Sequence, residues 1–540
     1  MTAMVDTSAE GTAPDPRTPE RPDHEVVVIG AGLGGIGMGI ALRRAGFTDF
    51  VILERAGDIG GTWRDNTYPG IAVDVPAQAY QFSFELNPRW SRVFAAGAEV
   101  KAYIDGCADR YDVRGHVRLN SEVTSRTWDE RHHLWRLAVG DRTMTARFVV
   151  SAIGAFVDPK PVDIPGLHDF AGTVLRSAQW DHDVDLRGKR VAVVGTGASA
   201  VQIIPEIAPL VAELHVFQRT PIWVGPKPDL PTPAWLRWLF RRVPALQQAV
   251  RRGATRAVEL ALVDGVLNHH RAPFIARGLA AAARGLWYRS QVRDPELRRR
   301  LTPTYGIGCK RPSVSNTYLQ TFNRSNVELV TEPIERITPG GLRTVDGTVR
   351  SVDVIVLATG FRMSSDPETY RRAPVRGRDG FDLATAYATE RLRSYESVSI
   401  PKLPNHFMIF GPYGWTGGTW HELVETASAH VVRVISEARR RASTAVEVTE
   451  AATDRWTARM RARMETSLFN TNGCATANSY YFDHHGDTPF LRPTSARQAR
   501  RAARTFPFDD YVFTRVPRSS QDSPHQELLG AAATCTGRIA

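Results

Sequence analysis

Residues 25–35 read Glu25-Val26-Val27-Val28-Ile29-Gly30-Ala31-Gly32-Leu33-Gly34-Gly35, and this stretch decides the fold. Its β-branched first half predicts a buried strand. Its second half is the glycine pattern of a dinucleotide loop: Gly30 permits the tight turn, Gly32 lets the backbone approach a pyrophosphate, and Gly35 lets helix and strand pack closely. The N-terminus of the helix that follows offers free N–H groups to the phosphates.

The chain after this loop completes a βαβ unit. Residues 50–53 predict a second strand, and Glu54 ends it, 24 residues after Gly30 (54 − 30). A carboxylate at that place accepts hydrogen bonds from ribose hydroxyls. The alternative is a glycine-rich turn with a surface glutamate. The strand, turn, helix, second strand and acid occur together, which favours the dinucleotide site.

A second unit of the same plan follows. Residues 189–194 predict a strand, Gly195-Thr196-Gly197-Ala198-Ser199-Ala200 forms the loop, and residues 201–210 predict the helix. Alanine replaces the third glycine, which the motif tolerates. Gly195, Gly197 and Ser199 are therefore candidate contacts of a second dinucleotide.

The end of the next strand, residues 214–217, distinguishes the two units. Arg219 lies 24 residues after Gly195 (219 − 195), where the first unit has its acid, and Thr220 follows it. A guanidinium holds a 2′-phosphate in bidentate fashion, whereas a carboxylate repels it. We therefore expect NADPH at the second unit, with Arg219 and Thr220 among its contacts. The alternative is that Arg219 is one more surface arginine in an arginine-rich chain.

Two such units predict an α/β fold with two Rossmann-like dinucleotide-binding domains, the second inserted in the first. Hydride would pass from one cofactor to the other. A helical, arginine-rich pattern predicts an additional helical insertion. The predicted segments are a disordered arm (1–23), the first dinucleotide-binding domain (24–155 and 366–515), the NADP-binding domain (156–230 and 301–365), the helical insertion (231–300) and a flexible tail (516–540).

Composition limits the possible functions. The chain has 540 residues, 42% hydrophobic and 23% charged, which is typical of a globular protein with two or three domains. Its net charge of +11 raises the alternative of nucleic-acid binding. The arginines come in short groups without interleaved aromatic residues, so we expect neither nucleic acid nor a membrane as partner. No apolar stretch reaches the ~20 residues of a membrane span.

Cysteine usage gives a further expectation. Cys107, Cys309, Cys474 and Cys535 form no CxxC pair, and their spacing suits neither a zinc site nor a disulfide framework. We therefore expect no metal site, reduced cysteines and a cytoplasmic protein. The missing CxxC also counts against a disulfide reductase.

Three segments carry a resemblance to a known family. Residues 60–70 read GGTWRDNTYPG and Asp74 follows them, Phe170-Ala171-Gly172 precedes Trp180-Asp181, and residues 308–312 read GCKRP. Together they resemble the type I Baeyer–Villiger monooxygenases, a group of class B flavoprotein monooxygenases. The resemblance spans roughly residues 25–492. It departs from the family at two positions: Arg176 stands where the fingerprint histidine is expected, and Tyr480 stands in place of a tryptophan.

The resemblance implies a function and a set of site residues. It implies FAD and NADPH as cofactors and an oxygen adduct at flavin C4a that inserts one atom of O2 beside a ketone carbonyl, giving an ester or lactone. Arg311 would stabilise the anionic adduct and Asp74 would orient Arg311. The implied cofactor contacts are Gly61, Thr62, Trp63, Asp74, Tyr80, Lys310 and Arg311, with Lys310 at the NADP 2′-phosphate.

Several alternatives stay open on sequence grounds. An N- or S-oxygenating flavin monooxygenase shares both nucleotide sites, and a non-oxygenating NADPH-dependent flavin reductase shares the cofactors. The substrate is expected to be an apolar ketone of unknown identity, and the oligomeric state is undetermined. Tyr413, Trp415 and Trp420 either line an apolar pocket or belong to the core.

Overall fold

The structure is a computed structural model that describes residues 20–267, 273–471 and 474–516. The predicted flexible tail therefore lies almost entirely outside the described residues, as does most of the predicted arm. The last residues of that arm contact the sheet: Arg136 Nη2 donates to Glu20 at 2.6 Å, and the Thr145 backbone N–H donates to Asp23 at 2.8 Å.

The described strands run as follows in chain order: β1 His24–Ile29, β2 Phe50–Leu53, β3 Val117–Arg118, β4 Val123–Asp129, β5 Leu134–Val139, β6 Arg142–Ser151, β7 Asp158–Pro159, β8 Thr173–Arg176, β9 Arg190–Val194, β10 Glu213–Phe217, β11 Val224–Gly225, β12 Ser313–Val314, β13 Val327–Val330, β14 Ile334–Thr338, β15 Gly341–Thr344, β16 Val349–Ser351, β17 Val354–Leu357, β18 Phe361–Arg362, β19 Val375–Arg376, β20 His406–Met408, β21 Ala445–Val448 and β22 Tyr511–Thr514.

The described α-helices are α1 Leu33–Arg44, α2 Thr62–Asp65, α3 Gly97–Arg110, α4 Ala198–Ile207, α5 Ala234–Arg242, α6 Pro244–Glu259, α7 Pro273–Ala282, α8 Tyr288–Gln291, α9 Pro295–Leu301, α10 Tyr318–Thr321, α11 Pro367–Arg372, α12 Leu383–Thr389, α13 Trp420–Arg440, α14 Glu450–Met464, α15 Leu468–Thr471 and α16 Ala496–Thr505. Two π-helical stretches, Leu260–Leu267 and Ala283–Trp287, extend α6 and α7.

The first sheet contains the first glycine loop. Its strand order is β19-β4-β5-β6-β1-β2-β3, and β20 also pairs with β6. The central strand β1 pairs in parallel with β2 and with β6, so that Val27 lies opposite both Val51 and Val149. All three valines are buried, because helices or loops cover both faces of a parallel sheet. β19 and β20 follow the second unit in the chain and return to this first sheet.

The second sheet contains the second glycine loop and has the order β13-β10-β9-β17-β8. All of its pairings are parallel. Every one of its strands lies in the chain between β6 and β19, so the second nucleotide unit is inserted in the first. The predicted fold class, α/β with two Rossmann-like units, is confirmed.

The helical insertion follows the second unit's strand β10. Helices α5 and α6 lie before residue 267 and helices α7 to α9 lie within residues 273–301, in the part of the chain where the sequence predicts a helical insertion. The long helix α13 packs against α1 of the first unit. Among the described residues, no helix is both long and apolar enough to cross a membrane.

Candidate active site

The first glycine loop has the geometry that a dinucleotide requires. Gly30 has a φ of +101°, and a Cβ there would lie 2.6 Å from the carbonyl oxygen of Ala152. A Cβ on Gly35 would lie 1.8 Å from the carbonyl oxygen of Gly30, so helix and strand meet too closely for a side chain. Gly32 is the N-cap of α1, and the first amides of that helix have no side-chain cap. They are therefore available to a pyrophosphate.

Glu54 lies where β2 ends and holds this loop. Its buried carboxylate accepts hydrogen bonds from the backbone N–H groups of Ala31 at 2.8 Å and Ala56 at 3.0 Å. Arg64 Nη1 pairs with it at 3.1 Å. The carboxylate is thus fixed beside the loop, in the place where the motif puts the ribose. Arg64 was not predicted as a site residue, and its only signal is its place in the segment after Gly61.

Residues 60–80, called the flavin segment below, follow the first βαβ unit and contain the other residues predicted to contact the flavin. Gly61 has a φ of +54°, and a Cβ there would lie 3.0 Å from the Cα of Gly32, so the segment lies against the glycine loop. Trp63 Nε1 donates to the hydroxyl of Tyr80 at 3.1 Å. Thr62 Oγ1 donates to a carbonyl at a longer 3.5 Å.

The second glycine loop repeats the geometry of the first. Gly195 has a φ of +115°, and a Cβ there would lie 2.4 Å from the carbonyl oxygen of Ala358. Gly197, the N-cap of α4, has open space where a Cβ would be, which leaves room for a pyrophosphate. Ser199 lies in the first turn of α4. The backbone of Thr220 accepts a hydrogen bond from the side chain of Thr196 at 3.0 Å, which ties the strand end to the loop.

Two cations lie together at the end of β10. Arg219 is exposed, Lys310 is half-buried, and neither has a carboxylate partner among the described residues. Burial and the neighbouring charge of Arg219 lower the pKa of Lys310 to about 8. In the amide orientation that satisfies both groups, Asn478 accepts from Nε and Nη2 of Arg219 at 3.0 and 3.2 Å. The cluster fits a phosphate, and sequence reasoning missed Asn478.

Arg311, the next residue in the chain, faces the flavin segment instead. Its Nε and Nη2 donate to the two carboxylate oxygens of Asp74 at 2.6 and 2.7 Å. Burial acts to lower the pKa of the Arg311 guanidinium, but the Asp74 carboxylate outweighs it and raises that pKa above its ordinary value. Arg311 is therefore a permanent, oriented positive charge.

Aromatic side chains surround this ion pair. The guanidinium of Arg311 lies 5.2 Å from the ring centroid of Trp415. Burial raises the pKa of both Tyr480 and Tyr481, and the nearby charges of Arg311 and Asp74 act on them in opposite directions. Both tyrosines therefore stay neutral beside the ion pair.

Two of the three aromatic residues singled out from the sequence lie near this site. Trp415 and Trp420 both contact Phe490, with centroid distances of 5.6 and 6.3 Å. Tyr413 instead packs on Trp456 at 6.2 Å and is 1% exposed, so it belongs to the core.

The flavin segment is also fixed to the second unit. Tyr68 donates to the side chain of Gln202 at 3.0 Å, and Gln202 donates to the carbonyl of Ala72 at 3.0 Å. A Cβ on Gly70 would lie 2.8 Å from the carbonyl oxygen of Gln202. Helix α4 of the second unit and the flavin segment therefore meet without a gap, which holds the two nucleotide loops in a fixed relation.

The region around Arg176, where the family resemblance predicts a histidine, still contacts the flavin segment. Arg176 ends β8 and is half-buried. Six residues later, His182 Nε2 lies 3.0 Å from Thr67 Oγ1. A histidine thus links this region to the flavin segment from a position that the motif does not predict.

The expectation of reduced cysteines without a disulfide was wrong for two of them. Cys309 and Cys474 form a disulfide, with their Cα atoms 5.2 Å apart and a separation of 165 positions in sequence. Cys107 is free and buried, and Cys535 lies outside the described residues. Spacing gave no signal because folding, and not sequence proximity, brings the two cysteines together. The bond joins the segment before Lys310 and Arg311 to the segment that carries Asn478 and Tyr480.

The residues present fit two dinucleotides, one at each glycine loop, and the Asp74 carboxylate holds one cation, Arg311, in a fixed orientation. Fold and site together define a two-nucleotide oxidoreductase. A family model described as pyridine nucleotide-disulphide oxidoreductase matches residues 27–237.

Full-length relatives define the family further. A Baeyer-Villiger monooxygenase of Streptomyces coelicolor is 39% identical over 95% of this chain and 96% of the relative. A Baeyer-Villiger monooxygenase of Pseudomonas aeruginosa is 38% identical over 96% of this chain and 97% of the relative. A crystal structure of OTEMO in complex with FAD and NADP covers 92% of this chain and 100% of that chain, with a TM-score of 0.81 and 29% identity. The chain belongs to the Baeyer–Villiger monooxygenase family, which confirms the resemblance seen in the sequence.

Proposed function

We propose that this protein is an FAD-dependent, NADPH-consuming monooxygenase that inserts one oxygen atom of O2 beside the carbonyl of an apolar ketone, giving an ester or lactone. The observation that carries the proposal is the Arg311–Asp74 ion pair, which joins the flavin segment to the residue after Lys310. The flavin, when bound and reduced by NADPH, supplies the activation of O2. Every other step draws on the chain's own residues.

The first role of these residues is to bind the two cofactors. The helix N-termini after the loops bind the pyrophosphates, Glu54 binds the ribose of FAD, and Arg219 with Lys310 binds the 2′-phosphate of NADPH. Because Lys310 and Arg311 are consecutive, one short segment holds the NADPH phosphate and the catalytic cation at once. The same segment therefore sets the position of the nicotinamide nucleotide relative to the cation.

The second role is electrostatic. An oxygen nucleophile that attacks a ketone carbonyl must be anionic, and the adduct it forms carries a negative charge on the former carbonyl oxygen. Arg311 supplies a positive charge that cannot be lost by deprotonation. Asp74 holds the guanidinium plane in one orientation. Oxygenation at nitrogen or sulfur instead needs a protonated oxygen donor, and this arrangement disfavours it.

The third role is to receive the substrate. Rings of Phe156, Trp420, Tyr480 and Phe490 contact one another at centroid distances of 5.5–6.4 Å. Phe490 also contacts Trp415, whose ring lies beside the guanidinium of Arg311. Such a wall binds an apolar ketone and excludes water from the reacting atoms. We propose these residues as the ketone-facing wall, and the ketone's identity is left to experiment.

A substitution at Arg311 tests the proposal. Arg311→Ala is expected to keep anaerobic flavin reduction by NADPH within about tenfold while losing ester formation by about 100-fold or more. A matched control is Arg343→Ala, which removes a bidentate pair with Glu335 on a distant hairpin and is expected to change neither rate. Normal ester turnover by Arg311→Ala would contradict the assignment. Faster oxidation of a sulfide than of any ketone by the unsubstituted enzyme would favour the S-oxygenase instead.

The segment boundaries derived from the sequence also remain our proposal. They place residues 24–155 and 366–515 in the FAD-binding domain, and residues 156–230 and 301–365 in the NADP-binding domain. The strand order of the two sheets supports this division.

A further inference from the structure

A cavity of about 1480 Å³ lies outside both nucleotide loops, between α6 of the helical insertion, the start of α13, and α16. Neither Arg311 nor Asp74 lines it, and neither Arg219 nor Lys310 does. Its wall is strongly basic. The lining includes eight arginines and three glutamates: Arg251, Arg252, Arg256, Arg463, Arg497, Arg500, Arg501, Arg504, Glu259, Glu422 and Glu425.

The three glutamates offset only part of this charge, because the wall has five more arginines than carboxylates (8 − 3). Glu422 pairs with Arg500 at 2.6 Å, and Glu259 pairs with Arg256 at 3.1 Å. Glu425 accepts two hydrogen bonds at 2.6 Å from the backbone and side chain of one serine. Among the described residues, the arginines on this wall without a carboxylate partner are Arg251, Arg252, Arg463, Arg497, Arg501 and Arg504.

Buried polar groups on the same wall lack hydrogen-bond partners. Nη2 of Arg251 has none, and this residue is only 4% exposed. Oγ1 of Thr255, one helical turn further along α6, also has none. A buried donor without an acceptor is costly, and an anion bound in the cavity would remove that cost.

The sequence of α16 explains how the basic wall forms. Ala496, Ala499 and Ala503 are buried against the body of the protein. Arg500 and Arg501 each lie three or four residues from both Arg497 and Arg504, so the side chains of these pairs neighbour one another on the helix surface. Small residues inside and arginines outside give a helix that presents a row of guanidinium groups to the cavity.

We propose that this arginine-lined cavity binds a ligand carrying a di- or triphosphate group, at a site separate from the two dinucleotides. Guanidinium groups bind phosphate oxygens in bidentate fashion, and several of them in one wall suit a chain of phosphates. The cavity is large enough for a ligand of nucleotide size. Its phosphates belong either to the ketone substrate itself or to a separate effector.

The test uses enzyme loaded with FAD and saturated with NADP⁺, so that neither nucleotide loop is open to the probe. Titration calorimetry with tripolyphosphate and with coenzyme A is expected to show saturable binding of one equivalent. Arg501→Glu/Arg504→Glu is expected to weaken this binding about tenfold or more. The control is Arg241→Glu/Arg289→Glu, with the same change in net charge at exposed positions that do not line the cavity. Absence of binding, or equal weakening in both double variants, would overturn the proposal.

Two further measurements complete the design. Arg251→Gln is expected to weaken binding as well, with flavin absorbance and melting temperature recorded to show that it is folded. Unchanged affinity in folded Arg251→Gln would contradict the role of the buried guanidinium. The source of the phosphates follows from kcat/KM for one keto acid offered as its coenzyme A thioester and as its methyl ester. If kcat/KM falls in Arg501→Glu/Arg504→Glu for the thioester but not for the methyl ester, the site belongs to the substrate. If the probes bind but kcat/KM changes for neither compound, the site belongs to an effector.

Discussion

Arg311 donates two hydrogen bonds, at 2.6 and 2.7 Å, to the two carboxylate oxygens of Asp74, a residue 237 positions earlier in the chain. Asp74 belongs to the flavin segment, whereas Arg311 follows Lys310 at the second nucleotide unit. The pair therefore couples the orientation of a single cation to the packing of both units. We propose that the packing of both units keeps the Arg311 charge in position for oxygen transfer after NADPH has reduced the flavin.

Replacing the carboxylate of this pair should separate reduction from oxygen transfer. Asp74→Asn leaves Arg311 charged but without its ionic partner, so the guanidinium is no longer held in one orientation. We expect ester formation to fall about 10-fold to 100-fold while NADPH oxidation continues, with hydrogen peroxide released instead. Product analysis beside a peroxide assay measures the ratio.

The control for this change is Asp353→Asn. It breaks the pair that Asp353 forms with Arg190 at 2.8 Å, where strands β9 and β17 begin. It should leave the ratio of ester to peroxide unchanged. Equal ratios in Asp74→Asn and in the unsubstituted enzyme would show that Asp74 does not orient the cation.

The two cations at the end of β10 should determine the preference for NADPH. Arg219→Ala and Lys310→Ala each remove one charged hydrogen-bond donor, worth about 1.5–3 kcal/mol. We expect the KM for NADPH to rise about tenfold or more in each variant, with the KM for NADH changing much less. Arg187→Ala removes an exposed arginine at the other end of the unit and serves as the control. A parallel rise in both KM values would place the two cations outside the 2′-phosphate site.

Binding of NADPH should also depend on pH through Lys310. Its pKa is lowered to about 8 by burial and by the charge of Arg219, so the ammonium is present below that pH and lost as the pH rises through it. We expect kcat/KM for NADPH to decline above pH 8, because this parameter reports the free enzyme. The decline should be absent in Lys310→Arg, which keeps its charge. A profile that is identical in the two proteins would assign the decline to another group.

The Cys309–Cys474 disulfide should stabilise both the fold and the site. Closing a loop of 165 residues corresponds to about 5 kcal/mol of chain entropy in the unfolded state. We expect Cys309→Ser/Cys474→Ser to lower the melting temperature and to raise the KM for NADPH, because the bond holds the segment of Asn478 beside Lys310. Free Cys107 is buried elsewhere, so Cys107→Ser is the control. Thiol labelling under non-reducing conditions shows directly whether the bond forms.

The sequence predicted the nucleotide units well because their signals are local. A run of buried β-branched residues, a glycine turn and a charged strand end all lie within about 30 residues, and backbone sterics leave few other solutions. Gly30 and Gly195 have the positive φ values that the motif predicts, and Glu54 lies against its loop. The fold class followed from the repetition of this unit.

Contacts between distant segments could not be predicted in the same way. Asn478 reaches Arg219, His182 reaches Thr67, and Cys474 reaches Cys309 only because the tertiary fold brings these segments together. None of these residues stands in a pattern whose spacing reports its partner. The Asp74–Arg311 pair was expected only through the family resemblance, and the residues alone would have left it an ordinary ion pair.

The most direct test of the central claim is to follow the oxygen atom. The enzyme is supplied with NADPH, ¹⁸O2 and a panel of cyclic, aryl and linear ketones, and the products are analysed by mass spectrometry. We predict an ester or lactone that carries one ¹⁸O atom per molecule, formed with NADPH consumed in equal amount. Consumption of NADPH and oxygen that yields only hydrogen peroxide, or labelled sulfoxide from a sulfide with no labelled ester from any ketone, would contradict the claim.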